Sequence, residues 1–244
     1  MVSQVTQNLF ATTYKDDFRD SDNYHRILFN SGRALQAREL TQMQTIIQTE
    51  IARFGRNIFK EGAAVNPGGP LLNTKYEFVK LNTTTNTLPS SSIVGNIFTG
   101  ATSNVRVKIL ETVAAENSDP ATLYVQYLGD ASSSTTELRL TPGEDISDGT
   151  NTLTVQTTNT TANPAVGRGT RFSIGGGDFF AKGHFVFADS QSLIVQKYSP
   201  AYTGTVGFLA TEDVVTATDN DALYDNQGDV PNTSAPGADR YRIR

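Results

Sequence analysis

With two histidines, His25 and His184, and no cysteine, this sequence offers little to nucleophilic and transition-metal chemistry. Without a thiol there is no disulfide scaffold, no thiolate metal site and no cysteine nucleophile. A serine triad needs a histidine held beside its nucleophile. His25 lies in an aromatic N-terminal stretch, and His184 sits between Gly183 and Phe185 in a strand-like run, where a structural histidine is expected. Oxygen ligands remain for a hard cation such as calcium or magnesium. Asp219, Asp221, Asp225 and Asp229 form the one dense acidic cluster, but no glycine follows at the sixth position and no glutamate at the twelfth of an EF-hand loop. Capped turns are the expectation there.

Gly175–Gly177 lacks the Lys-Ser/Thr of a phosphate loop and leads into a strand, so it reads as a turn. Asn82, Asn159 and Asn232 each open an Asn-x-Ser/Thr triplet, with no secretory leader to give them meaning. No motif singles out a carboxylate pair for glycoside hydrolysis. The expectation is a protein that is not an enzyme, with no cofactor, no catalytic residues and no metal ligands.

The elements that would position such residues are mostly strands. The chain has 244 residues, enough for one large domain or two small ones. Its net charge of −5 disfavours nucleic acid as a partner. No run approaches the 18 apolar residues of a membrane span. The first residues, MVSQVTQ, carry neither the charged nor the apolar region of a signal peptide. Abundant Thr, Ser and Asn with 20 Gly suit strands with solvated outer faces joined by turns. With no Trp, the aromatic core must come from 13 Phe and 9 Tyr. Charge is uneven: Arg26 to Lys60 holds six basic residues against Glu39 and Glu50, whereas Ala201 to Asp239 holds seven acids and no Lys or Arg. Opposite patches of this kind suit packing between neighbouring copies or subunits, or simply mark two solvated surfaces.

Residues 1–30 read as an extended arm whose aromatics (Phe10, Tyr14, Phe18, Tyr24 and Phe29) dock elsewhere. The 31–60 segment is a helix, strongest from Arg33 or Ala34 to Phe54, with Leu40, Met43, Ile47, Ile51 and Phe54 on one face and Ile58 extending the row. Asn30 or Ser31 is the expected cap and Gly55 the expected end. The row fits packing on the protein's own sheet, or a self-association seam of under three heptads.

Glu61 to Pro70 is a turn-rich connector. Period-two strands are expected at Tyr76–Leu81, at Val105–Ile109, at Leu123–Tyr127 beyond a Glu116–Pro120 hairpin loop, and more weakly at Glu137–Leu140 and Thr152–Gln156. Late strands are expected at Arg171–Ile174, Asp178–Ala188, Ser192–Tyr198 and Val206–Ala210, with a turn at Asp189–Gln191. The fold class expected is α+β, mainly β: arm and helix packed on antiparallel β domains, with 61–87 and 166–244 as the main β domain and 88–165 as an inserted small β domain. The ending PGADRYRIR, from Pro236 to Arg244, looks like a strand just starting, so the natural chain is expected to continue.

Two stretches are more specific. One is YHRILFNSGRALQARELTQMQTIIQ (Tyr24 to Gln48), followed by IARFGRNIFKEG (Ile51 to Gly62). The other joins FFAKGHFV (Phe179–Val186) with ALYDNQG (Ala222–Gly228) and APGADRYRI (Ala235–Ile243). Together they resemble the N-terminal domain of structural proteins of tailed phages, cyanophage-type baseplate and tail-fibre proteins, a family first named only as a domain of unknown function. The resemblance covers roughly 20–80 and 170–244 and leaves 88–165 unmatched. It implies a virion component, made in the host cytoplasm: the proximal, particle-anchoring part of a tail fibre, or a baseplate element that holds one.

Such proteins are usually homotrimers that join other tail or baseplate proteins, without nucleic acid or membrane insertion. Host glycan would be met only through a C-terminal part not in this sequence. No catalytic residues carry over. On that reading Phe10, Tyr14, Phe18, Tyr24, Leu40, Met43, Ile47, Ile51 and Phe54 are the expected interface residues. The alternatives are a carbohydrate-binding β-sandwich, weakened by the missing Trp, and a polysaccharide-degrading tailspike, for which no β-helix repeat is present.

Overall fold

The computed structural model describes residues 13–82, 88, 91–130, 139–225, 230 and 232–244. In chain order these form α1 (Ala37–Ile58), β1 (Pro70–Lys80), β2 (Ile97–Gly100), β3 (Val105–Val113), β4 (Thr122–Asp130), β5 (Asp145–Ser147), β6 (Thr152–Thr154) and β7 (Val166–Ile174). There follow β8 (Gly177–Ala181), β9 (His184–Ala188), β10 (Gln191–Gln196), β11 (Glu212–Val215), β12 (Tyr224–Asp225), β13 (Asn232–Pro236) and β14 (Arg240–Ile243). Among the described residues strands far outweigh helix, with one α-helix and a large antiparallel sheet, so the class is α+β, mainly β.

Two compact units share the chain, and neither is one continuous segment. Unit 1 takes Met1–Gly69, Ile174–Gln191 and Gly207–Arg244; unit 2 takes Pro70–Ser173 and Ser192–Val206. This partition differs from the expected main and inserted β domains. β1 pairs with β4, and β7 lies beside β1 in the same sheet, so backbone hydrogen bonding joins 70–80 and 166–173 to the strands of 88–165.

Unit 2 is built on one eight-stranded sheet in the order β10-β7-β1-β4-β3-β2-β5-β6. Pairs β1/β4, β4/β3, β3/β2, β2/β5 and β5/β6 are antiparallel. Successive side chains of a strand face opposite ways, and this sorts the apolar residues into two layers. Val79, Leu123, Val125, Val107 and Ile109 join Phe98, Ile146 and Leu153 in the main core. On the other face Tyr76, Phe78 and Tyr124 form a second cluster, with the Tyr76 and Tyr124 rings stacked at 4.7 Å. The loop between β3 and β4 closes through reciprocal backbone bonds of Glu116 and Asp119 at 3.1 and 2.9 Å.

The Tyr76–Leu81 expectation is met by a longer strand, and Thr152–Gln156 by β6 and a single bridge from Val155 to Leu81. Of the weak strand at 137–140, Glu137 and Leu138 lie outside the described residues; Arg139 and Leu140 are not in a strand, Leu140 being a core residue.

Unit 1 holds α1 and three two-stranded sheets, β8/β9, β11/β14 and β12/β13. Asp178–Ala188 is not one strand: Lys182 (φ 52°) and Gly183 (φ 80°) turn it back on itself, joining Ala181 to its partner His184. Two successive positive φ values are the signature of the tight turn whose twist suits a hairpin. Val206–Ala210 carries no strand. Nor does α1 begin at Asn30 or Ser31. It starts after Gln36, whose backbone N–H donates to the Glu39 carboxylate at 2.9 Å. It also runs through Gly55, because that glycine lies against the Phe180 ring and the helix closes one turn later, where Phe59 N–H donates to Gly55 O at 2.7 Å.

Candidate interaction surface

α1 buries a face that its apolar row does not foretell. The buried residues are Ile46, Thr49, Ala52 and Gly55, an i, i+3 line of mostly small side chains. Their size is the reason: backbone and rings come close. A Cβ on Gly183 would stand 3.0 Å from the Ala52 Cβ, and one on Gly55 would stand 2.3 Å from the Phe180 ring. Phe180 in turn packs with Phe59 and Phe185, at centroid distances of 6.1 and 5.4 Å. Gln48 Nε2 donates to Gly183 O at 3.1 Å, fastening the helix to the β8–β9 turn.

The arm covers a second stretch of α1. Phe18 is buried and shares a cleft with Ile46. The buried Asp16 carboxylate accepts from Phe18 N–H at 3.1 Å and from the Thr45 hydroxyl. Arg38 pairs with Asp17 at 3.1 Å, and Arg53 with Asp20 and Glu50. Tyr14 is half-buried and donates to Asp239 at 2.8 Å; that carboxylate raises its phenol pKa. Tyr24 stays exposed, to 56%, and Leu28 and Phe29 beyond it are exposed too. Phe10 lies outside the described residues.

The predicted row is therefore not the packing face. Leu40, Met43, Ile47, Ile51, Phe54 and Ile58 are all exposed, Phe54 to 64%. Of the two readings left open for the helix, packing on the protein's own sheet belongs to the small-residue line. The only sequence signal for that line is the i, i+3 spacing of Thr49, Ala52 and Gly55, which hydrophobicity does not register.

Elsewhere polar groups are engaged by one another. Lys182 Nζ lies 2.6 Å from Glu212 Oε1, whose side chain is 2% exposed, and His184 Nδ1 lies 3.0 Å from Lys182 O. Burial first, then the adjacent Glu212 carboxylate, pushes the Tyr241 phenol upward. These contacts tie the β8–β9 hairpin to β11 and β14. Of the acidic cluster, Asp219 accepts from Thr216 N–H at 3.0 Å and Thr216 Oγ1 at 2.7 Å, a capped turn; Asp229 lies outside the described residues. Among the described residues no three His, Asp or Glu side chains converge as a metal site.

In unit 2 a concavity of about 470 Å³ is lined by Ile194–Ser199 and Asp119, where Lys197 is already paired with Asp119 at 2.9 Å. The stacked tyrosines Tyr76 and Tyr124, at 4% and 0% exposure, are core rather than a platform for a sugar ring. Among the described residues no helix is long and apolar enough to cross a membrane.

Residues 12–123 match the model of a family described as a domain of unknown function (DUF4815). The match takes in the arm from residue 12, α1, β1 to β3 and the first residues of β4, and so draws on both units. Within it lies the first of the two stretches singled out in the sequence, Tyr24–Gly62; the second, Phe179–Ile243, lies beyond it. No curated protein and no solved structure matches the chain.

Proposed function

We propose that this chain is a virion structural protein of a tailed phage: the particle-anchoring part of a tail fibre, or a baseplate component that holds one. The observation that carries the reading is the exposed apolar surface of unit 1. The α1 row offers six large apolar side chains on one helix face to a partner, and Leu28 and Phe29 of the arm are exposed as well; large apolar side chains gathered on an exposed face mark interaction sites. The resemblance of Tyr24–Gly62 to tail proteins names the partner class, other tail or baseplate proteins and further copies of the same chain. The role is mechanical: the N-terminal segment docks and the β units hold position, without catalysis.

The test is incorporation. In a phage carrying the gene, the chain should be found by mass spectrometry in purified particles and located at the tail by immunogold labelling. Deleting residues 1–25 should abolish incorporation while unit 2 keeps its β-rich circular dichroism. Absence of the intact chain from particles sinks the reading, and normal incorporation of the truncated chain sinks the docking role of the arm.

A further inference from the structure

The exposed row of α1 repeats every eleven residues: Leu40 recurs as Ile51, Met43 as Phe54, Ile47 as Ile58. Eleven residues in three turns is about 3.67 per turn, close to the relaxed helix, so the row runs almost parallel to the axis instead of drifting round it. α1 is 22 residues long, two such repeats. Each of the six side chains is 36–64% exposed, although Ala52 and Gly55 of the same helix are packed tight.

At about 200 Å² for a large apolar residue, the row presents roughly 600 Å², the upper end of a monomer's largest patch and close to the ~800 Å² per partner of a standard interface. Its flanking residues are engaged or uncharged: Gln44 stands on one side, and on the other Glu39 accepts from Gln36 N–H at 2.9 Å and Glu50 is held by Arg53 at 2.7 Å. A partner helix seated there strands no ion.

We propose that this row is a self-association seam, covered by the α1 row of a second copy of the same chain. A straight row with a fixed repeat is complementary to another of the same period, and Ile47 meets its own counterpart whether the helices run parallel in register or antiparallel about Ile47. The seam rests on the assembly half of the reading above and specifies the surface through which copies join.

The chain has no cysteine, so one introduced thiol reports a single contact. Light scattering over a wide concentration range should give a multiple of 26.4 kDa for the intact chain. The double variant Ile47→Glu, Ile51→Glu should fall to the monomer mass with its circular dichroism unchanged. Ile47→Cys should oxidise to a covalent dimer, whereas Leu209→Cys, 84% exposed and off the helix, should not. An intact chain that is monomeric throughout overturns the seam, and so does an oligomer that survives the double substitution. A monomer whose melting temperature drops on that substitution places the row against its own chain and overturns it too. A monomer that still enters particles leaves the structural role standing and removes the seam alone.

Discussion

Glu77 in β1 accepts from Arg139 at 2.6 and 3.1 Å and from Arg168 Nε at 2.8 Å, with its side chain 16% exposed. Burial alone would raise its pKa, but the two guanidinium groups outweigh it and hold the carboxyl below its ordinary 4.5. A carboxylate whose pKa is lower folded than unfolded stabilises the fold above the unfolded value and loses that contribution as pH falls through the folded one. Glu77→Gln should therefore cost about 1–3 kcal/mol at neutral pH. That deficit should begin to shrink as pH drops below about 4.5, where the carboxyl of the unfolded chain takes up its proton, and it closes only once pH has passed the lower folded value. Urea melts of both proteins at pH 7 and at pH 3.5 check this; an equal deficit at both would mean that shape, not charge, is what Glu77 supplies.

Gly55 decides the character of α1 as an element. In an exposed helix, replacing a mid-helix glycine by alanine gains roughly 0.5–1 kcal/mol. Here the new Cβ would stand 2.3 Å from one Phe180 carbon and 2.8 Å from the next, on a ring that is fully buried. Overpacking of that kind costs about 1–3 kcal/mol, so Gly55→Ala should lower stability by about 1–2 kcal/mol. Gly207→Ala, with nothing within 4 Å, should stay within about 0.5 kcal/mol of the native chain. A stabilised Gly55→Ala protein in thermal melts would show that the ring yields freely.

The same glycine explains what was legible in the sequence. The 3–4 spacing locates the helix, because periodicity is local, but hydrophobicity assigns the packed face to Leu40, Met43 and Ile47, since it weighs side chains and not the closeness that small ones permit. Strands β3 and β4 are readable for the same local reason: Val105, Val107 and Ile109, then Leu123 and Val125, alternate in line with a single core. The β8–β9 turn is not readable, since nothing in the type of Lys182 announces a φ of 52°. Of the expected interface residues, Phe18 is buried against its own α1 and Tyr24 is open; an arm's docking partner is set by tertiary geometry that no local pattern carries.

At the scale of the whole molecule, the division into units rests on pairings distant in sequence. The ends of the 174–191 excursion leave unit 2 beside one another: β7 ends at Ile174, β10 begins at Gln191, the two strands are neighbours in the sheet, and Arg171 Nη2 donates to Ser192 Oγ at 2.8 Å. The main core of unit 2, from Val79 to Ala165, uses no residue of the excursion. A chain of residues 70–206 in which 174–191 is replaced by a short Gly-Ser turn should therefore fold by itself, since closing a shorter loop between adjacent strand ends has a smaller entropic cost than the native connection. It should melt cooperatively and keep the near-ultraviolet dichroism of the stacked Tyr76 and Tyr124 rings. If this chain shows strand content in the far ultraviolet but no tyrosine signal and no cooperative melt, the sheet depends on unit 1 for its side-chain packing, and the boundary at Gly69, Ser173, Gln191 and Val206 separates contacts without separating folding.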